Sequence, residues 1–214
     1  MNFAEMVKNT LHKEIFSEED LKIFLKEKKA SVIHSGISRS LKAKDFIKLK
    51  RGLYLLGKRL RQGQISKFFI ASKMYTPTYI SFESALSYHG LIPEAVYVTT
   101  SACPQRLKKL FKTPLGEFSY DYVPCRPFFL GVEHTSIQGG VLIANPLKAL
   151  FDLIYLRKKK YSSLMEIESD LRIEREEIMP FVRQITVKEL EELANSYGKR
   201  SIKKFLEVLV RETK

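Results

Sequence analysis

The sequence predicts an α+β chain: an N-terminal winged helix-turn-helix followed by a mixed α+β domain that ends in helices. Three observations predict it. Three stretches of helical apolar spacing before residue 43 give way to two short alternating runs around Arg51-Gly52. From residue 79 to 144 alternating and helical segments interleave, and the C-terminal third is helical. Positive charge is concentrated near the amino end: residues 28–61 hold eleven Lys and Arg against one acid, Asp45, and so carry +10 of the chain's +13.

Each element follows from local chemistry. Phe3, Met6, Val7 and Leu11 recur at helical spacing over residues 2–12 and give a first helix one apolar stripe. Ser17 before Glu18-Glu19-Asp20 starts a second: its hydroxyl caps a free backbone N–H, and the acids face the positive end of the helix dipole. Leu21, Phe24 and Leu25 are the expected buried side of that helix. A third helix is expected over 31–42, with Val32, Ile33, Ile37 and Leu41 inward and Ser31, His34, Ser35, Ser38, Arg39 and Lys42 outward. Gly36 inside it costs about 1 kcal/mol against alanine. After Ala43-Lys44-Asp45 the period changes to that of a strand over 46–50, with Ile47 and Leu49 alternating against Phe46, Lys48 and Lys50. Arg51-Gly52 makes a tight turn, glycine supplying positive φ, and 53–56 returns as the partner strand.

Shape and charge together point to double-stranded DNA. A helix fits the major groove and presents Ser, His and Arg to base edges, while hairpin cations reach the flanking phosphates. Arg39 is the expected base reader, because a guanidinium grips guanine O6 and N7 together. Lys48, Lys50 and Arg51 suit phosphates, with Lys44 beside them; Arg51 also reads as a turn anchor, and His34 as a plain polar surface residue. Gly57 to Gln64, with two glycines and the cations Lys58, Arg59 and Arg61, reads as a linker that also touches the DNA backbone. The plainer alternatives are a basic face that serves solubility and a winged helix that docks proteins. The expected domains are 1–63, binding DNA, and 64–214, regulatory.

In the second domain a helix is expected over 65–75, stopped by Thr76-Pro77. A short extended piece at 79–81 leads into a helix to His89 closed by Gly90, and strands follow over 94–101, 117–123, 131–137 and 140–144. Asn145-Pro146 opens a helix over 147–157 whose apolar density predicts deep burial. Helices over 162–173, 186–197, where Thr186-Val187-Lys188-Glu189 forms a capping box, and 202–211 complete the chain.

Several classes find no support. The N-terminus lacks the pattern of a secretory signal, and no window approaches the roughly eighteen apolar residues of a membrane span. Cys103 and Cys125 suit reduced thiols, so a cytoplasmic protein is expected. There is no Gly-x-x-x-x-Gly-Lys-Ser/Thr phosphate loop, and His12, His34, His89 and His134 show no metal-ligand spacing. One enzyme reading remains as the alternative, a metal-dependent nuclease holding Mg²⁺ between Asp121 and Glu133 on adjacent strands. Thr135 stands where such a site wants a lysine, and the plainer reading has both carboxylates facing solvent. A non-enzymatic protein without cofactor or metal is the expectation.

Longer motifs carry a resemblance. Lys48-Leu49-Lys50-Arg51-Gly52-Leu53-Tyr54 is followed by Tyr79-Ile80-Ser81-Phe82-Glu83-Ser84-Ala85-Leu86-Ser87-Tyr88-His89-Gly90-Leu91-Ile92-Pro93. Asn145-Pro146-Leu147-Lys148-Ala149-Leu150-Phe151-Asp152-Leu153 comes after them. In that order, over residues 17–160, these resemble the AbiEi family of antitoxin regulators. The resemblance implies an antitoxin of a type IV toxin–antitoxin system linked to abortive infection and phage defence. It implies a transcriptional repressor that binds inverted repeats in its own operon's promoter through the winged helix. It further implies a nucleotidyltransferase toxin encoded nearby, whose effect the second domain neutralises without a stable complex.

Overall fold

Reciprocal caps start the first two helices of the computed structural model, which describes residues 2–26, 28–92 and 96–212. Asn2 and Glu5 bond each other's backbone N–H at the head of α1 (Phe3–Leu11), and Ser17 and Asp20 do the same for α2 (Glu18–Phe24). Between them lies β1 (Ile15–Ser17), a strand too short to show a period in the sequence. Next come α3 (Ala30–Lys42), β2 (Phe46–Lys50) and β3 (Leu53–Leu56). The strands form an antiparallel sheet in the order β1-β3-β2, joined at the turn by Gly52 with φ +72°.

Both faces of this sheet are covered. Phe16, Phe46, Tyr54 and Leu56 point toward α1, α2 and α3, where Val7, Leu11, Leu21, Leu25, Ile33 and Ile37 complete a small core. Leu49 and Leu55 point the other way and belong to the larger core of the rest of the chain. Where α1 crosses α3, the ring of Phe3 lies directly over Gly36, so glycine there is required by close approach. Two residues expected inward point outward instead: Phe24 is 51% and Val32 43% exposed. The inner row of α3 is Ile33, Gly36, Ile37 and Ser40, and Val32 falls about 100° to one side of it. In α2, Leu21 and Leu25 already fill the space.

The stretch 57–64 is a folded corner rather than an open linker. The Gly57 amide donates to the Asp45 carbonyl at 2.6 Å, a Cβ at 57 would lie 2.2 Å from the Lys44 carbonyl oxygen, and Leu60 is buried in the small core.

The second part comprises α4 (Lys67–Met74), β4 (Tyr79–Ile80), α5 (Phe82–Tyr88), β5 (Val98–Cys103), β6 (Lys108–Thr113) and β7 (Gly116–Tyr122). It continues with β8 (Val132–Thr135), β9 (Val141–Ala144), α6 (Pro146–Arg157), α7 (Leu164–Leu171), α8 (Arg175–Gln184), α9 (Val187–Asn195) and α10 (Arg200–Arg211). The α+β class is therefore as expected. Neither β6 nor α8 was expected, and Pro93, Glu94 and Ala95 of the expected motif and strand lie outside the described residues. The six strands form one mixed sheet in the order β6-β7-β5-β4-β9-β8. Its Phe118 and Tyr120 face is covered by α4, where the Tyr120 hydroxyl donates to the Ala71 carbonyl at 2.8 Å. On its other face, Thr100 exchanges hydrogen bonds with Ser84 of α5, and α6 packs beside it.

A buried polar network ties that face together. Lys148 and Asp152 of α6 are fully buried and paired, Nζ to Oδ1 at 2.9 Å. Asp152 Oδ2 accepts from the Tyr79 hydroxyl at 2.9 Å and from Ser81 at 2.6 Å, while Tyr197 donates to Oδ1 at 2.6 Å and accepts from Lys148 at 2.8 Å. Burial, and then the neighbouring Asp152 charge, hold both tyrosines well above their ordinary pKa. Residues of two of the three motifs quoted above, 79–93 and 145–153, thus meet at one carboxylate.

Candidate nucleic-acid interface

The inner row of α3 fixes what its outer side presents. With Ile33, Gly36, Ile37 and Ser40 buried, the exposed polar side chains are Ser31, His34, Ser35, Ser38, Arg39 and Lys42, with Val32 exposed among them. Arg39 lies back along the helix, its Nε donating to the Ser35 carbonyl at 3.4 Å, and none of the salt bridges among the described residues involves it. His34 is engaged: Nε2 stands 2.8 Å from Glu18 Oε1. That hydrogen bond, with help from Lys22, holds the Glu18 carboxyl below the ordinary carboxylate value. The contact spans from the first residue of α2 to α3, across the outside of the small core that packs the two helices together.

The hairpin cations divide. Lys48 and Arg51 are exposed, as are Lys42 and Lys44 at the end of α3, the last in a left-handed turn with φ +59°. Lys50 is half-buried, because β2 packs alongside β6 of the second part; burial, and then the like charge of Lys109, lower its pKa. Arg59 is held by Asp45 at 2.8 Å, tying the 57–64 corner to the turn between α3 and β2, and approaches Glu5 of α1 at 3.9 Å. Those partners raise its pKa, the Asp45 hydrogen bond first. Lys58 and Arg61 turn toward α4.

Packing of β2 on β6 brings in residues that the sequence reading missed. Lys108 and Lys112 stand on the edge strand β6 with side chains 78% and 72% exposed, each facing one acid of β7: Asp121 at 3.7 Å and Glu117 at 2.9 Å. Lys109 turns to the opposite face, its Nζ 4.4 Å from the centre of the Tyr75 ring. The signal was present in the alternation of Lys108, Leu110 and Lys112 against Lys109 and Phe111, but adjacency to the hairpin is a property of the fold alone.

Asp121 and Glu133 do not meet. They sit on β7 and β8, with β5, β4 and β9 between them, so strand spacing alone puts them roughly 20 Å apart. Asp121 is not the solvent-facing carboxylate of the plainer reading either: it is 5% exposed. Among the described residues no three His, Cys, Asp or Glu side chains converge as a metal site. Cys103 and Cys125 are buried free thiols, and no helix is long and apolar enough to cross a membrane. No family model matches the chain, and no curated protein matches it.

Proposed function

We propose that this chain is a DNA-binding transcriptional regulator whose first sixty-odd residues act as a winged helix-turn-helix. In this reading α3 enters the major groove and the β2–β3 hairpin is the wing. The observation that carries it is the outer face of α3, where three hydroxyls and a guanidinium are exposed beside Lys42, Lys44, Lys48 and Arg51, with the His34 imidazole exposed among them and bonded to Glu18. Side chains of these types read base edges and neutralise phosphates, and the wall behind them is a packed core that holds their spacing.

The test is fluorescence anisotropy of the full chain on the duplex upstream of its own coding region, against a scrambled duplex of equal length. The expected result is tighter binding to the native sequence, with log K falling on log salt by about 0.9 per phosphate neutralised. Arg39→Ala is expected to narrow the gap between the two duplexes by about 1–3 kcal/mol. Equal affinity of the wild type for both duplexes would overturn sequence-specific regulation.

We infer from the AbiEi resemblance that the regulated operon is the chain's own, read at inverted repeats by two copies, and that the second domain counteracts a nucleotidyltransferase toxin. Its support is the order of the motifs; the Lys148–Asp152 motif packs internally, so the resemblance there speaks to shape. Co-expression with the nucleotidyltransferase encoded beside it is expected to restore growth, and unchanged toxicity would end that reading.

A further inference from the structure

Where the 57–64 corner meets α4, a cleft of about 460 Å³ opens between the two cores. Lys58, Arg61 and Lys67 all line it, together with Gln62, Gly63 and Leu115, and no carboxylate does. Of the flanking acids, Glu117 is paired with Lys112 at 2.9 Å, and Glu14 accepts from the backbone amide of Gln62 at the rim at 3.4 Å.

Two features make this more than a solvated basic corner. Arg61 Nε is buried with no hydrogen-bond partner, and a charged donor held out of water that way is costly until an acceptor arrives. Lys67 is the first residue of α4, so its cation stands at the positive end of the helix dipole, where an anion and not a cation is favoured. Its Nζ lies near Gly116 at the start of β7, 3.4 Å from where a Cβ would be. An anion in the cleft would lie among the cations of Arg61, Lys58 and Lys67 and near the start of α4.

We propose that the cleft is a phosphate-binding site, taking the phosphoryl group of a phosphate ester on Arg61, Lys58 and Lys67. The phosphoryl group belongs either to the backbone of a bound duplex, in which case the site rests on the DNA-binding reading, or to a free phosphorylated small molecule that binds independently of it.

Isothermal titration of the full chain with inorganic pyrophosphate, at constant ionic strength, tests the site. One saturable event is expected in the wild type and in the distant control Lys188→Gln, weakened about tenfold or more in Arg61→Gln and in Lys67→Gln. If Arg61→Gln does not fold, Lys58→Gln and Lys67→Gln decide. Absence of saturable binding, or equal binding by all variants, overturns the proposal. Adding labelled duplex separates the sources: a duplex that displaces pyrophosphate, and binds Arg61→Gln more weakly, supplies the phosphate itself. A duplex that binds alongside pyrophosphate marks the cleft as a small-molecule site. Should the duplex not bind at all while pyrophosphate does, the reading of α3 fails and this site stands.

Discussion

Lys148 and Asp152, one turn apart on α6, form an ion pair at 2.9 Å with neither side chain reaching solvent. Removing both from water costs several kcal/mol per ion, which the pair recovers only through the extra hydrogen bonds from Tyr79, Ser81 and Tyr197. Lys148→Met leaves the carboxylate buried without its cation, and urea denaturation is expected to show a loss of about 3–5 kcal/mol. Lys148→Met with Asp152→Leu, removing both charges, is expected to recover much of that. A single variant as stable as the wild type would show that the pair contributes nothing.

Gly36 lies against Phe3 so closely that an added Cβ would be 2.6 Å from the ring. In an unobstructed helix, glycine to alanine gains about 1 kcal/mol. Here the methyl overpacks the α1–α3 crossing, and Gly36→Ala is expected to lose about 1–3 kcal/mol. Phe3→Leu in the same background relieves the clash, so the double-mutant cycle is expected to show favourable coupling. A gain in melting temperature for Gly36→Ala alone contradicts the contact.

Asp20 closes the cap of α2, its Oδ2 accepting from the Ser17 amide at 2.7 Å. Partial burial alone would raise its pKa, but the Ser17 amide and hydroxyl and the Lys13 ammonium outweigh that and leave it below the ordinary 3.8. A carboxyl whose folded pKa is lowered adds stability above the ordinary value, and that stability disappears as pH falls through the folded one. Asp20→Asn is therefore expected to be less stable than the wild type near neutrality, by under about 1 kcal/mol, since the Lys13 partner is exposed. The difference should close below about pH 4. A gap that persists at low pH would assign the effect to something other than the charge.

These relationships differ in how far they show in a linear sequence. Ser17, Thr186 and Asn145 announce helix starts because a cap is a contact within three residues, and the structure places caps at all three. The outer face of α3 was legible because its inner row repeats at helical spacing. Strand β1 was not, being three residues paired to a strand nearly forty residues away, Ile15 with Leu55. For the same reason Arg59 and Lys50 looked like free cations: their neighbours Asp45, Glu5 and Lys109 are brought up by tertiary packing. Nor does alternation reveal whether a carboxylate faces solvent, as Asp121 shows. It alternates with Tyr120 and Tyr122 along β7 yet is buried beside Lys108.

Lys48 and Arg59 are both basic residues of the 28–61 segment, and their surroundings assign them different work. Lys48 is exposed on the hairpin and none of the salt bridges among the described residues involves it, whereas Arg59 spends its guanidinium on Asp45 and Glu5. If the hairpin cations meet phosphates, Lys48→Ala weakens binding to native and scrambled duplexes alike and lowers the salt slope by about 0.9. Arg59→Ala is expected to do the reverse. It frees the 57–64 corner from Asp45 and lowers the melting temperature, while the salt slope, measured where the variant is still folded, stays at the wild-type value. Net charge falls by one in both variants, so a mechanism that depended only on total charge would move both slopes equally. Equal slopes would mean that the positive segment acts as a diffuse cloud; unequal slopes would mean that placement decides which cations reach the DNA.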